Sequence, residues 1–124
     1  MKLIISGRGG GKEEYVANRW HVQPQPCTYN ETLHLPFITE FQDVLRHILQ
    51  EGIQLESYLQ ELFTNNPQAV ILCDEVGMGI VPLGKQERLW REMVGRACCL
   101  IAQNSDEVIR LVCGIPQIIK KTES

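Results

Sequence analysis

Apolar residues along this chain follow two rhythms. Residues 2–5 (Lys-Leu-Ile-Ile) and 69–73 (Ala-Val-Ile-Leu-Cys) are short, largely apolar runs. Both predict strands, and the second has the unbroken character of a strand buried on both faces of a parallel sheet. Residues 108–113 predict another strand, and Leu33-His34-Leu35 a short one. Elsewhere the spacing is helical. Apolar positions 37, 38, 41, 44, 45, 48 and 49 predict an amphipathic helix opened by Pro36 and stopped by Gly52. A second helix carries Leu55, Tyr58, Leu59, Leu62 and Phe63 and ends at Asn65-Asn66-Pro67. The longest, residues 85–104, has the stripe Leu89, Met93, Ala97, Leu100 and Ile101, flanked by Trp90 and Val94. A short helix over 13–20 has acidic residues in its first turn, as the helix dipole prefers. Residues 21–32, with Pro24 and Pro26, read as a loop. Gly114 and Pro116 break the last strand and leave a polar tail over 120–124.

Strands and helices therefore alternate. That order predicts an α/β fold of three layers with a mostly parallel sheet, in one domain spanning residues 1–124. The composition supports a packed core, with 44% hydrophobic and 22% charged residues. Twelve basic against fifteen acidic residues give a net charge of -3, which argues against a basic nucleic-acid-binding module. No run approaches the length of a transmembrane helix, and the first apolar run is too short for a secretory signal. The expectation is a cytoplasmic protein with neither nucleic acid nor membrane as partner. The five cysteines, at 27, 73, 98, 99 and 113, show no Cys-x-x-Cys spacing. They read as small hydrophobes in a reducing compartment.

The first segment with chemistry in it is Gly7-Arg8-Gly9-Gly10-Gly11-Lys12, between a strand and a helix. Glycines let backbone N–H groups converge on phosphate oxygens, the helix N-terminus adds positive potential, and Lys12 reaches the terminal phosphates. The pattern of a P-loop is G-x-x-x-x-G-K-[ST]. From Gly7 to Gly11 the spacing is one residue short, and Ser6 in place of the first glycine restores it. Glu13 stands where the Mg²⁺-binding hydroxyl would be. The bland alternative is an ordinary tight turn with an acidic helix start.

The second segment is Asp74-Glu75, which ends the run 69–73. In a parallel sheet the strand ends gather on one edge, so Asp74 is expected beside Lys12. There Asp74 would hold Mg²⁺, and Glu75 would orient a water or hydroxyl. Solvated carboxylates after a strand are the plainer reading. Gly77 and Gly79 allow positive φ or the close approach of a ligand, or form only a bent connection. His21, His34 and His47 are scattered. Arg88, Arg91, Glu92 and Arg96 have helical spacing and read as a solvated face or subunit contact.

Residues Asp74-Glu75-Val76-Gly77-Met78-Gly79-Ile80-Val81-Pro82 resemble the Asn-Glu-Val-Gly-x-Gly-Ile-Val-Pro motif of the adenosylcobinamide kinase/adenosylcobinamide-phosphate guanylyltransferase family. The resemblance continues through Arg88, Trp90, Arg91, Gly95 and Arg96 to Gly114-Ile115-Pro116 and Lys120. It implies a P-loop-type domain of cobalamin biosynthesis that uses ATP or GTP with Mg²⁺ to phosphorylate a corrinoid hydroxyl, and that assembles as a trimer. Gly7, Gly11 and Lys12 fall on the family's P-loop, with Gly9, Gly10 and Glu13 beside them as nucleotide-contacting candidates. Lys12, Asp74 and Glu75 are the catalytic candidates. The family's guanylylated histidine and its Val-Asp-Cys-Leu-Thr-Leu-Trp segment have no counterpart here, so no nucleophilic histidine is carried over. Asp74 replaces the family's Asn. The alternative function is a non-catalytic nucleotide- or corrinoid-binding oligomer.

Overall fold

The computed structural model describes residues 1–76 and 84–122. The elements in chain order are β1 (Lys2–Ser6), α1 (Lys12–Trp20), a 3-10 turn (Glu31–Leu33), β2 (Phe37–Ile38), α2 (Phe41–Gln50), α3 (Leu55–Asn65), β3 (Val70–Asp74), α4 (Lys85–Asn104), β4 (Glu107–Val112) and β5 (Ile115–Lys121). They build one five-stranded sheet in the order β2-β3-β1-β4-β5. The first four strands are parallel and β5 runs antiparallel to β4.

Alternation along the strands sorts side chains between two cores. Leu3, Ile71 and Val108 stand in register across β1, β3 and β4, as do Ile4, Leu72 and Ile109. The first set packs beneath α2, α3 and α4, against Phe41, Leu45, Leu59, Ala97 and Ile101. The second packs beneath α1, against Val16. Helices thus cover both faces, which gives the three-layer, P-loop NTPase-like architecture expected from the sequence. Each fully buried Leu or Ile adds roughly 1.5–3 kcal/mol relative to exposure.

Three local expectations are corrected. Residues 33–35 are not a strand. Thr28 and Glu31 cap each other reciprocally, the Thr28 N–H donating to Glu31 Oε1 and the Glu31 N–H to Thr28 Oγ1, and this box starts the 3-10 turn. The Asn66 amide fastens the segment by donating to the carbonyls of Thr32 and Leu35. The helix expected from Phe37 begins at Phe41. Phe37 and Ile38 pair with Val70 and Ile71 as β2. Glu40, at φ 53, is left-handed and prevents a helix from running through. Lastly, the chain after Gly114 is a strand. Cys113 and Gly114, both at positive φ, form a two-residue hairpin turn, and Pro116 is accepted because β5 lies at the sheet edge.

Candidate functional site

The parallel strands deliver their C-terminal ends to one edge, where β1 and β3 place Ser6 opposite Asp74. From Ser6 the chain runs through the glycine segment into α1. The Gly10 N–H donates to the Gly7 carbonyl at 3.0 Å, and Gly9 and Gly11 take φ values of 70 and 88. Gly11 is the residue before the helix, and its carbonyl accepts from the Tyr15 N–H. At Gly10 a side chain is blocked, since a Cβ there would lie 2.5 Å from Ser6 Oγ and 2.6 Å from Ser6 Cβ.

Lys12 is the first residue of α1 and is 2% exposed, a rare state for a lysine. Its ammonium donates to Asp74 Oδ1 at 2.5 Å and to Ser6 Oγ at 3.0 Å. The Ser6 hydroxyl in turn donates to the Gly7 carbonyl. Thus the lysine of the glycine segment and the acidic end of β3 are brought together as the topology requires. Glu75 turns the other way. Its N–H donates to the Ser6 carbonyl at 2.7 Å, and its carboxylate pairs with Arg110 of β4. Glu13 projects toward β2 and accepts from the Thr39 hydroxyl.

A cleft of about 470 Å³ opens beside this pair, with Arg8, Glu40, Gln42, Asp74, Trp90 and Arg91 among its lining. Gln42, Glu40 and Arg91 escaped the sequence reading as site residues. Buried Gln42 is its organiser. Its Oε1 accepts from the Asp74 N–H, its Nε2 donates to Glu40 Oε2 at 2.7 Å, and its carbonyl accepts from the Trp90 indole. The available signal was a polar residue set among the apolar positions 41, 44 and 45. Burial, together with the nearby charges of Asp74, Glu13 and Asp43, raises the Glu40 carboxyl above its ordinary range. The Arg46 guanidinium stacks on the Trp90 ring at 3.8 Å. Arg91, expected on a solvated face, points into the cleft instead. Its buried Nε makes no hydrogen bond among the described residues, and Glu87 Oε1 lies 3.9 Å away as its ion-pair partner.

A second groove, about 450 Å³, lies on the other side of the glycine segment. It is lined by Gly7 to Gly10, Glu75, Arg110 and the end of β4. None of His21, His34 and His47 lines either groove. Gly77, Gly79 and the rest of the nine-residue motif after Val76 lie outside the described residues.

Among the described residues no three His, Cys, Asp or Glu side chains form a metal cage. Mg²⁺ bound with a nucleotide needs less than that. One or two carboxylates plus phosphate and water oxygens suffice. Asp74 is 18% exposed, with Oδ1 on Lys12. The donor set fits Mg²⁺ held jointly with phosphates. No described helix is long and apolar enough to cross a membrane.

The family model described as cobinamide kinase / cobinamide phosphate guanyltransferase matches residues 37–119 of the 124-residue chain. The match runs from β2 into β5 and includes Asp74, Glu75 and Arg91; the glycine segment precedes it. No curated protein matches the chain.

Proposed function

The chain belongs to the cobinamide kinase/cobinamide phosphate guanyltransferase family of cobalamin biosynthesis, and from that premise we propose that it is a phosphotransferase. It binds ATP or GTP over the glycine segment and passes the terminal phosphoryl group to a hydroxyl of a corrinoid. The observation that carries this reading is the meeting of Lys12 and Asp74 at the sheet edge. It is the cation–carboxylate arrangement that phosphoryl transfer uses.

In this reading the backbone N–H groups around Gly9 to Gly11 and the start of α1 hold the phosphates. Lys12 exchanges Asp74 for a phosphate oxygen, and Arg8 and Arg91 add positive charge from the cleft side. Asp74 would hold Mg²⁺, which would neutralise the charge of the phosphate chain. The acceptor hydroxyl enters the cleft between Glu40 and Trp90. Its oxygen forms the new P–O bond as the bond to the nucleoside diphosphate breaks, and Glu40 takes the proton. Gln42 fixes Glu40 for that task. Most of the rate comes from positioning and charge stabilisation, so few residues suffice. The guanylyl step is not included, because no histidine lines either groove.

The test is incubation with γ-labelled ATP or GTP, Mg²⁺ and adenosylcobinamide. Labelled corrinoid that disappears in Lys12→Ala supports the reading, and no labelled corrinoid with either nucleotide refutes it. Glu13, in place of a metal-binding hydroxyl and drawn to Thr39, favours a second reading, a nucleotide-binding protein without turnover. That protein would bind triphosphate with little dependence on Mg²⁺.

A further inference from the structure

A second reactive pair lies one residue from Asp74 and has no part in the reaction above. Cys73 of β3 and Cys98 of α4 face each other with their sulfurs 3.7 Å apart. Cys73 is fully buried in the core between the sheet and α4, whereas Cys98 is partly exposed. Cys27, Cys99 and Cys113 make no sulfur–sulfur contact of this kind among the described residues. We propose that Cys73 and Cys98 form a peroxide-oxidisable dithiol, with Cys98 as the attacking thiol and Cys73 as the resolving one.

Geometry assigns the roles. An oxidant from solvent meets Cys98 first, because Cys73 is sealed beneath it. Cys98 is therefore the thiol that attacks, in its thiolate form. A disulfide needs its sulfurs about 2 Å apart, so closure asks for a modest approach of β3 and α4 rather than refolding.

The chemistry balances with a hydroperoxide as the oxidant. The Cys98 thiolate attacks the peroxide, an S–O bond forms, the O–O bond breaks, and hydroxide or alkoxide leaves and is protonated. Cys98 is then a sulfenic acid. The Cys73 sulfur attacks the Cys98 sulfur, the S–S bond forms, and the S–O bond breaks. The Cys73 proton leaves with the hydroxyl as water. Two electrons pass from the sulfur pair to the peroxide. The bond would fasten α4 to the residue preceding Asp74, so the oxidised form holds the acidic strand end in place. Thioredoxin-type dithiols would reverse it.

The experiment treats the reduced full chain with hydrogen peroxide, blocks remaining thiols by alkylation under denaturing conditions, and maps peptides by mass spectrometry. The expected result is a linked peptide pair containing Cys73 and Cys98, with alkylated thiols falling from five to three. Cys73→Ser should stop at a Cys98 sulfenic acid trapped by dimedone, and Cys98→Ser should leave Cys73 reduced. Linkage through Cys27, Cys99 or Cys113 in wild type would overturn the proposal. So would Cys98 over-oxidised while Cys73 stays free. The wild-type map decides even if a variant folds poorly.

Discussion

Lys12 and Asp74 are 62 residues apart in sequence and 2.5 Å apart in space. Adjacent parallel strands bring them together, β1 through the glycine segment and β3 directly. The pair has two consequences. It stabilises a buried lysine that would be costly alone, and it occupies the cation that a phosphate chain would use. Nucleotide binding must exchange one anion for another at Lys12.

Asp74→Asn separates these effects. Without the carboxylate, Lys12 is free for phosphate, so triphosphate affinity measured without Mg²⁺ should rise about tenfold, or about 1.4 kcal/mol. The gain on adding Mg²⁺ should shrink, because the metal loses its protein ligand. Calorimetry with and without Mg²⁺ checks both. An unchanged Mg²⁺ gain would remove Asp74 from metal binding.

Glu40→Gln keeps the size of the side chain and removes the base. Turnover should drop by about 100-fold or more, while nucleotide affinity stays within a factor of about two. Steady-state kinetics together with a separate binding titration make the comparison. Equal loss in both would make Glu40 a binding group only.

Gly10→Ala should cost about 1–3 kcal/mol, since the new methyl collides with Ser6. Ser6→Ala in the same chain should give little relief, because Ser6 Cβ is itself 2.6 Å from the added atom. Ser6→Gly should recover more. Chemical denaturation of the single and double variants orders the three.

Arg19, in the last turn of α1, and Glu107, the first residue of β4, tie the helix to the strand, with Arg19 Nη2 donating to Glu107 Oε2 at 3.1 Å. The Arg19 hydrogen bonds hold the Glu107 carboxyl below the usual carboxylate range. A carboxyl depressed in the folded state contributes stability above its unfolded pKa of about 4.3, and loses it as pH falls through the folded value. Acid unfolding below about pH 4 should therefore be less steep in Glu107→Gln, which also starts from lower stability at pH 7. Thermal melts across pH 2–7 provide the test on a scale of about 1–3 kcal/mol.

Much of this architecture is legible in the sequence because its strongest signals agree. The unbroken apolar runs of β1 and β3 and the glycine segment between strand and helix each have one architectural reading. The helix α4 is legible but its stripe is not placed correctly: Trp90, Val94, Ala97 and Ile101 are the buried positions, and Leu89 is exposed because the helix turns that side to solvent. Elements failed where signals overlap. Phe37 and Ile38 fit both the helical spacing of 41, 44 and 48 and a short buried strand, and only the left-handed turn at Glu40 decides between them. β5 carries Pro116 and exposed isoleucines, so it has neither the burial nor the alternation that marks an inner strand. At the site, Lys12 and Asp74 announce themselves by position in the topology. Gln42 does not, because its role comes from hydrogen bonds to the distant Asp74 and Trp90 and to neighbouring Glu40. Arg91 shares its spacing with solvated neighbours, and only the packing of α4 against the cleft distinguishes it.

The central claim is that the glycine segment with Lys12 binds a nucleotide triphosphate. Titration calorimetry of ATP and GTP, each with Mg²⁺, on wild type and Lys12→Ala tests it most directly. The account predicts binding in the micromolar range for at least one nucleotide and a loss of about 100-fold or more in the variant, equivalent to about 2.7 kcal/mol. No binding to wild type, or equal binding by the variant, would contradict it.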